Sequence, residues 1–151
     1  MSRIVNNILK TTAPKAVVLI RILTGTVFLS EGTQKFLLPD QLGVGRFEKI
    51  GILYPSVSAP LVGAVEITCG ILLLLGLLTR LACIPLLVTM TVAILSTKVN
   101  VLMESGFWKF AHESRTDYSM IMCLAFLLIV GAGSVSCDHV LMSRRTSDAD
   151  T

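Results

Sequence analysis

Four long apolar runs, separated by polar connections, set the pattern of this chain; they cover residues 16–38, 59–78, 81–97 and 118–135. A helix needs about 20 mainly apolar residues to cross the hydrocarbon core of a bilayer. Each run is apolar around most of its circumference, which excludes the alternating pattern of a membrane barrel. In lipid, backbone groups must be satisfied within the segment, so the runs are read as helices. The expected fold is all-α: an integral membrane four-helix bundle with both termini on one side.

The connections refine that picture. Residues 78–80 are the most that separate the second run from the third, which predicts a tight antiparallel hairpin. Residues 39–58 and 98–117 then lie on the face opposite the termini. The second of these holds Phe107, Trp108 and Phe110, aromatic residues suited to the headgroup level, and predicts a short interfacial helix between spans three and four. Residues 1–15 form a polar N-terminal segment, 16–138 the four-span domain, and 139–151 a polar tail, expected to be mobile from Ser143 onwards. The first run comes after basic residues, as a secretory signal would. It is too long, too charged and lacks a small-x-small cleavage site, so it is read as a retained span.

Composition agrees. Of 151 residues, 53% are hydrophobic and only 15% charged, too few charges to cover a soluble domain of this size. Net charge is +3 without a long basic run, which argues against nucleic acid as a partner. Lys and Arg nearly balance between the two faces. Arg3, Lys10, Lys15, Arg80, Arg144 and Arg145 stand on the terminal side; Arg46, Lys49, Lys98, Lys109 and Arg115 stand opposite, with Lys35 near that edge. The count leans towards cytoplasmic termini.

The charges inside the spans carry the functional argument. An ionised side chain at the bilayer centre costs about 2.5–3.5 kcal/mol on insertion scales, so it needs a partner, a hydrated cavity or a ligand. With 38 and 59 as loop-side ends, Glu31 and Glu66 both lie about 10 Å deep in antiparallel neighbours. Lys35 lies one turn from Glu31 on the same face. Arg115, Asp117 and Tyr118 enter the same half of the membrane from span four, with His112 in the preceding loop. Two carboxylates at one depth repel unless one holds a proton or a cation lies between them. Lys35 is the nearer cation and Arg115 the second. The simpler reading is a buried ion-pair network that fixes helix register and does no chemistry. Arg21, in the other half, is expected to snorkel to the headgroups. Arg80 is expected to meet headgroups or the carbonyls that end span two.

Small residues at helical spacing, Gly25 and Gly32 in span one and Ala59, Gly63 and Gly70 in span two, predict close helix packing. Cys69, Cys83, Cys123 and Cys137 are scattered singly and read as small hydrophobes. No spacing suggests a metal, flavin or haem site.

Several of these residues also carry a resemblance. Arg21 followed by Phe28-x-x-x-Gly32-x-x-Lys35 resembles the first span of the DoxX family. So do Glu66-x-x-x-Gly70 leading to Gly76-Leu77-Leu78-Thr79-Arg80, the stretch from His112 to Asp117, and Gly131-Ala132-Gly133 followed by Ser136 and Asp138. Proline often succeeds the last of these glycines in that family, where this chain has Ser134. The resemblance implies a four-helix prokaryotic cell-membrane protein. It also implies redox-linked roles, since some members are subunits of thiosulfate:quinone oxidoreductase and others join redox or stress complexes with soluble partners.

Two functions are expected on these grounds. In the first, a quinone binds in an intramembrane polar pocket and a soluble oxidoreductase supplies electrons. Glu31, Lys35 and Glu66 would do the acid, base and donor chemistry; Arg115, Asp117, Tyr118 and His112 would help hold the cofactor. In the second, the chain is a non-catalytic scaffold for a redox or stress-response complex, with Arg46, Lys49, Lys109, Arg144 and Arg145 as docking charges. Either form would sit in the lipid bilayer and would be open to homo-oligomerisation.

Overall fold

The computed structural model describes residues 14–147, with side chains to residue 143. The N-terminal segment through Ala13, the last four residues and the Arg144 and Arg145 side chains lie outside the described part, and with them the charges of Arg3 and Lys10 and two of the expected docking charges. Within it the chain is all-helical. Helix α1 is Val17–Leu37, the short α2 is Val44–Lys49, and α3 is Pro55–Leu75. Helix α4, Thr79–Ala93, continues through a π-helical segment, Ile94–Lys98, into α5, Val99–Ser105. Helix α6 is Phe107–Val130 and α7 is Cys137–Ser147.

The boundaries have local causes. Helix α3 starts four residues before the expected Ala59, because Pro55 suits the first helical position, where its missing N–H is not needed. It stops at Gly76, which takes a left-handed conformation (φ +64°). The Gly76 and Leu77 amides there donate to the Leu73 and Leu72 carbonyls, a Schellman closure. A short helix, α5, does lie between spans three and four, but it runs on from α4 without a break, and Phe107, Trp108 and Phe110, the residues behind the expected interfacial helix, open α6 instead. Helix α6 begins at Phe107, not Tyr118, so residues 112–117 sit on the span-four helix and not in a loop. Helix-favouring Lys109, Ala111, Glu113 and Arg115 extend it there until Gly106, in an extended conformation with φ +81°, interrupts the chain. At the other end α6 stops at Gly131 (φ +88°), short of Val135.

Helices α1, α3, α4 and α6 form the bundle. Leu73, Leu86, Leu124 and Leu127 are fully buried at its centre, with Phe28, Cys69, Cys83 and Met120 around them. The closest pair is α1 against α3. A Cβ on Gly32 would lie 2.7 Å from the Gly63 carbonyl oxygen, and one on Gly70 would lie 3.0 Å from that of Gly25. The glycines anticipated for packing thus fix the register of the two helices.

The outer surface is apolar: Leu19 is 67% exposed, Leu61 62% and Ile129 76%. Water would not tolerate such a surface over a whole bundle, whereas acyl chains do. Among the described residues, Pro55–Leu75 and Thr79–Ser105 are long and apolar enough to cross a membrane. Helices α1 and α6 carry more charge.

Candidate functional site

A cavity of about 450 Å³ occupies the half of the bundle away from the termini. Phe28, Met90 and Met120 form its floor, above the leucine core. Phe47, 7% exposed, and Leu42 cover it from the α2 side. Glu31 and Lys35 of α1, Arg46 of α2, Glu66 of α3 and Asp117 of α6 are its charged lining, and Ser96 and Thr97 bring hydroxyls from the π segment.

Lys35 and Glu66 are the centre of this lining. Lys35 Nζ lies 2.5 Å from Glu66 Oε2, and both side chains are largely buried. The pairing comes from helix direction. The glycine contacts set Gly32 opposite Gly63, so Lys35 and Glu66 stand about six residues, or 9 Å, apart along the axis. Helical side chains tilt towards their own N-terminus. In antiparallel helices Lys35 therefore leans inwards and Glu66 outwards, and the two meet. The Lys35 ammonium is carried by the same tilt back over its preceding turn but does not meet the Glu31 carboxylate, whose own side chain tilts on in the same direction. It donates instead to the Glu31 backbone carbonyl, at 3.4 Å. An ammonium has three donors, and these two bonds leave one. Glu31 is exposed and reaches the cavity without a salt bridge among the described residues.

Asp117 is held from across the bundle. Lys98, at the end of the π segment, lies 4.0 Å from Asp117 and 3.8 Å from Glu113. A π turn carries an extra residue and rotates the facing of every later residue in its helix, and such turns gather at functional sites.

Of the residues expected at the site, Glu31, Lys35, Glu66 and Asp117 line one cavity. Arg115, His112 and Tyr118 do not. Arg115 lies on the exposed side of α6 with its guanidinium 3.2 Å from the His112 ring, and Tyr118 is 64% exposed. Once residues 107–117 become helix, the 100° step per residue sends these three outwards while Asp117 faces in. Sequence reasoning missed Arg46 and Lys98 as site residues. No helical spacing links either to the cluster, because both arrive through tertiary packing.

Arg21 overturns its expectation. It is 2% exposed and does not snorkel. Its guanidinium donates to the carbonyls of Leu73 (2.9 Å), Leu74 (2.8 Å), Ala132 (2.9 Å) and Val135 (2.5 Å). Those carbonyls end α3 and succeed α6, the Leu73 oxygen also accepting from the Gly76 amide, and a planar five-donor fork can gather all four at once. Asp138 complements it at the start of α4, accepting from the Leu78 and Thr79 amides at 2.8 and 3.2 Å, while its own amide donates to the Gly76 carbonyl at 2.9 Å. This holds Leu78 in a left-handed conformation that leucine otherwise avoids. Arg80 donates to the Ile129 carbonyl near the end of α6. The terminal-side end of the bundle is thus a hydrogen-bonded plug.

Fold and site together define an all-helical membrane protein with a polar cavity inside its bundle. The DoxX family profile matches residues 16–99, more than half the chain. An uncharacterized membrane protein of Mycobacterium tuberculosis is 51% identical over 146 residues, covering 93% of this chain and 90% of its own. CatD of Bacillus subtilis, whose name carries a provisional assignment as an oxidoreductase, is 27% identical over 120 residues, 80% of this chain and 82% of its own. No solved structure matches. The chain belongs to the DoxX family.

Proposed function

We propose that this is a redox-linked subunit of a prokaryotic cell membrane that binds a quinone in the cavity and takes electrons from a soluble oxidoreductase. In this reading all four long helices cross the bilayer. The observation that carries it is the cavity itself: about 450 Å³, walled by apolar side chains, with the Lys35–Glu66 pair at its inner wall. Small-molecule sites commonly span about 300–1,000 Å³ and pair apolar walls with a few convergent polar groups.

A quinone ring would rest on Phe28, Met90 and Met120. The remaining donor of Lys35 would meet a ring carbonyl. An isoprenoid tail would leave past Val88 and Val92, lining residues of α4 that are 58% and 47% exposed. Reduction to the quinol consumes two electrons and two protons. The partner supplies the electrons, and Glu31, Glu66 and Asp117 are the acids in place to pass protons. CatD's name adds redox chemistry within the family and nothing about the ligand.

The test is to titrate menaquinone and ubiquinone into purified protein and monitor binding calorimetrically. Saturable binding to wild type that weakens about tenfold or more in Asp117→Asn and in the paired Lys35→Met/Glu66→Gln variant supports the site; tenfold corresponds to about 1.4 kcal/mol. Unchanged binding in both variants removes these residues from it. A soluble partner that co-purifies with wild type, with no quinone bound, makes the chain a scaffold instead.

A further inference from the structure

We infer that water and protons reach the cavity from the loop side only, through a charged rim built by Glu31, Arg46, Thr116 and Asp117, and that the terminal side is sealed. This deepens the ligand-site reading by naming the compartment with which the site exchanges protons.

The two ends of the bundle are built differently. Towards the termini, the floor of the cavity rests on Leu73, Leu86, Leu124 and Leu127, each 0% exposed. Beyond these leucines Arg21, Thr24, Thr79 and Asp138 are also buried, at 0–2% exposure. Arg21 binds four carbonyls, Asp138 two amides, and the Thr24 hydroxyl the Ile20 carbonyl of its own helix. Of these four side chains Thr79 alone has a buried hydroxyl without a partner. One open hydroxyl, in a layer otherwise bonded to backbone and backed by the leucines, offers water no continuous file of partners.

Towards the loops the lining carries Glu31, Arg46 and Thr116, all exposed. Asp117 stands beside Thr116, and Lys98 and Glu113 extend the charge outwards from it. Glu31 faces the deeper Glu66 within the same cavity. Carboxylates at the rim and one at the inner wall, with Lys35 between, make a short relay from the loop-side solution to the place where a ring carbonyl would sit. Val88 and Val92, the exposed lining on α4, are apolar and give onto lipid.

Sided thiol labelling tests this. In a background with Cys123→Ala and Cys137→Ser, the buried Cys69 and Cys83 are retained as the unreactive baseline. Met90→Cys then places a thiol on the cavity floor. Thr116→Cys in the same background marks the loop-side rim, and a separate Cys123→Ala protein that keeps native Cys137, exposed at the terminal end, marks the other face. A small, membrane-impermeant, cationic methanethiosulfonate is added to right-side-out or inverted vesicles. The Met90→Cys thiol should be fully consumed from the face that labels Thr116→Cys and should survive from the face that labels Cys137. Thr89→Cys, also on the lining, replaces it if Met90→Cys does not insert. Labelling from the Cys137 face, or from neither face while the rim thiol reacts, overturns the inference. The pattern reads access and not affinity, so a failed quinone titration leaves it intact, and the two proposals fail separately.

Discussion

Lys35 and Glu66 illustrate what a single residue can and cannot announce. Their charge inside apolar runs marks both from the sequence, since such groups need compensation. Their partnership is less legible. Helical spacing favours Glu31 with Lys35, one turn apart, yet the side-chain tilt of antiparallel helices delivers Lys35 to Glu66. Arg21 is harder still. Near the end of a span, a lone arginine reads as snorkelling, and only the fold reveals four carbonyls converging on it. The Lys35–Glu66 pair lends itself to a double-mutant cycle. Breaking a buried ion pair from one side leaves an uncompensated charge and typically costs about 3–5 kcal/mol, whereas replacing both members costs little. Lys35→Met alone and Glu66→Leu alone should each lower the unfolding temperature in detergent markedly, and the double variant should recover most of the loss. Additive losses would mean that neither residue relies on the other, and the pair could then be dismissed as the centre of the site.

At the scale of elements, the pattern of apolar runs located every long helix but not its ends. Hydropathy reports where lipid begins, whereas helices stop where glycine, proline or a cap makes them stop. That is why α3 gains a turn at Pro55 and α6 gains more than two turns reaching back to Gly106. The second change matters for function, because it converts 112–117 from loop to helix and separates Asp117 from Arg115 and His112. Packing between elements was more legible. Gly25, Gly32, Gly63 and Gly70 were visible as a small-residue stripe, and all four sit in the α1–α3 contact. Gly32→Leu should therefore destabilise the protein by about 1–3 kcal/mol, the usual cost of overpacking. It should also push α1 from α3 and loosen the Lys35–Glu66 contact, so quinone affinity should fall with stability. Gly51→Leu, where nothing lies within 4 Å but φ is +73°, isolates the backbone term: about 1–2 kcal/mol without an effect on affinity. Thermal unfolding and ligand titration of the two variants distinguish the cases. Equal loss of affinity in both would detach the glycine crossing from the site.

For the whole molecule, the order of apolar runs implied antiparallel neighbours with both ends at one face, and Arg21 shows the ends assembled there. Its contacts tie the start of α1 to the end of α3 and to the segment after α6. What composition left open was how many of these helices cross lipid, because the functional charges dilute the apolarity of α1 and α6 below that of a simple span. The physical case for four crossings is that most charges within the spans are met inside the bundle: Lys35 and Glu66 neutralise one another, Arg21 donates to backbone, and Asp117 meets Lys98, while the exposed Glu31 stands at the cavity rim. With those charges internally compensated, the cost that hydropathy assigns to α1 and α6 largely disappears. Reporter fusions measure the consequence. Truncations carrying either alkaline phosphatase or a cytoplasm-dependent fluorescent protein after residues 51, 77, 106 and 151 should alternate sides, with 77 and 151 together. Gly51 and Gly106 are suitable junctions because nothing crowds them. If 51 and 77 report the same side, α3 does not cross, and the cavity would open into water on both flanks. A same-side result for 106 and 151 would place α6 along the surface, and Asp117 could not then complete a pocket within the membrane. The predicted alternation, with 51 and 106 facing the exterior on the positive-charge count, would also identify the rim compartment as the one outside the cytoplasm.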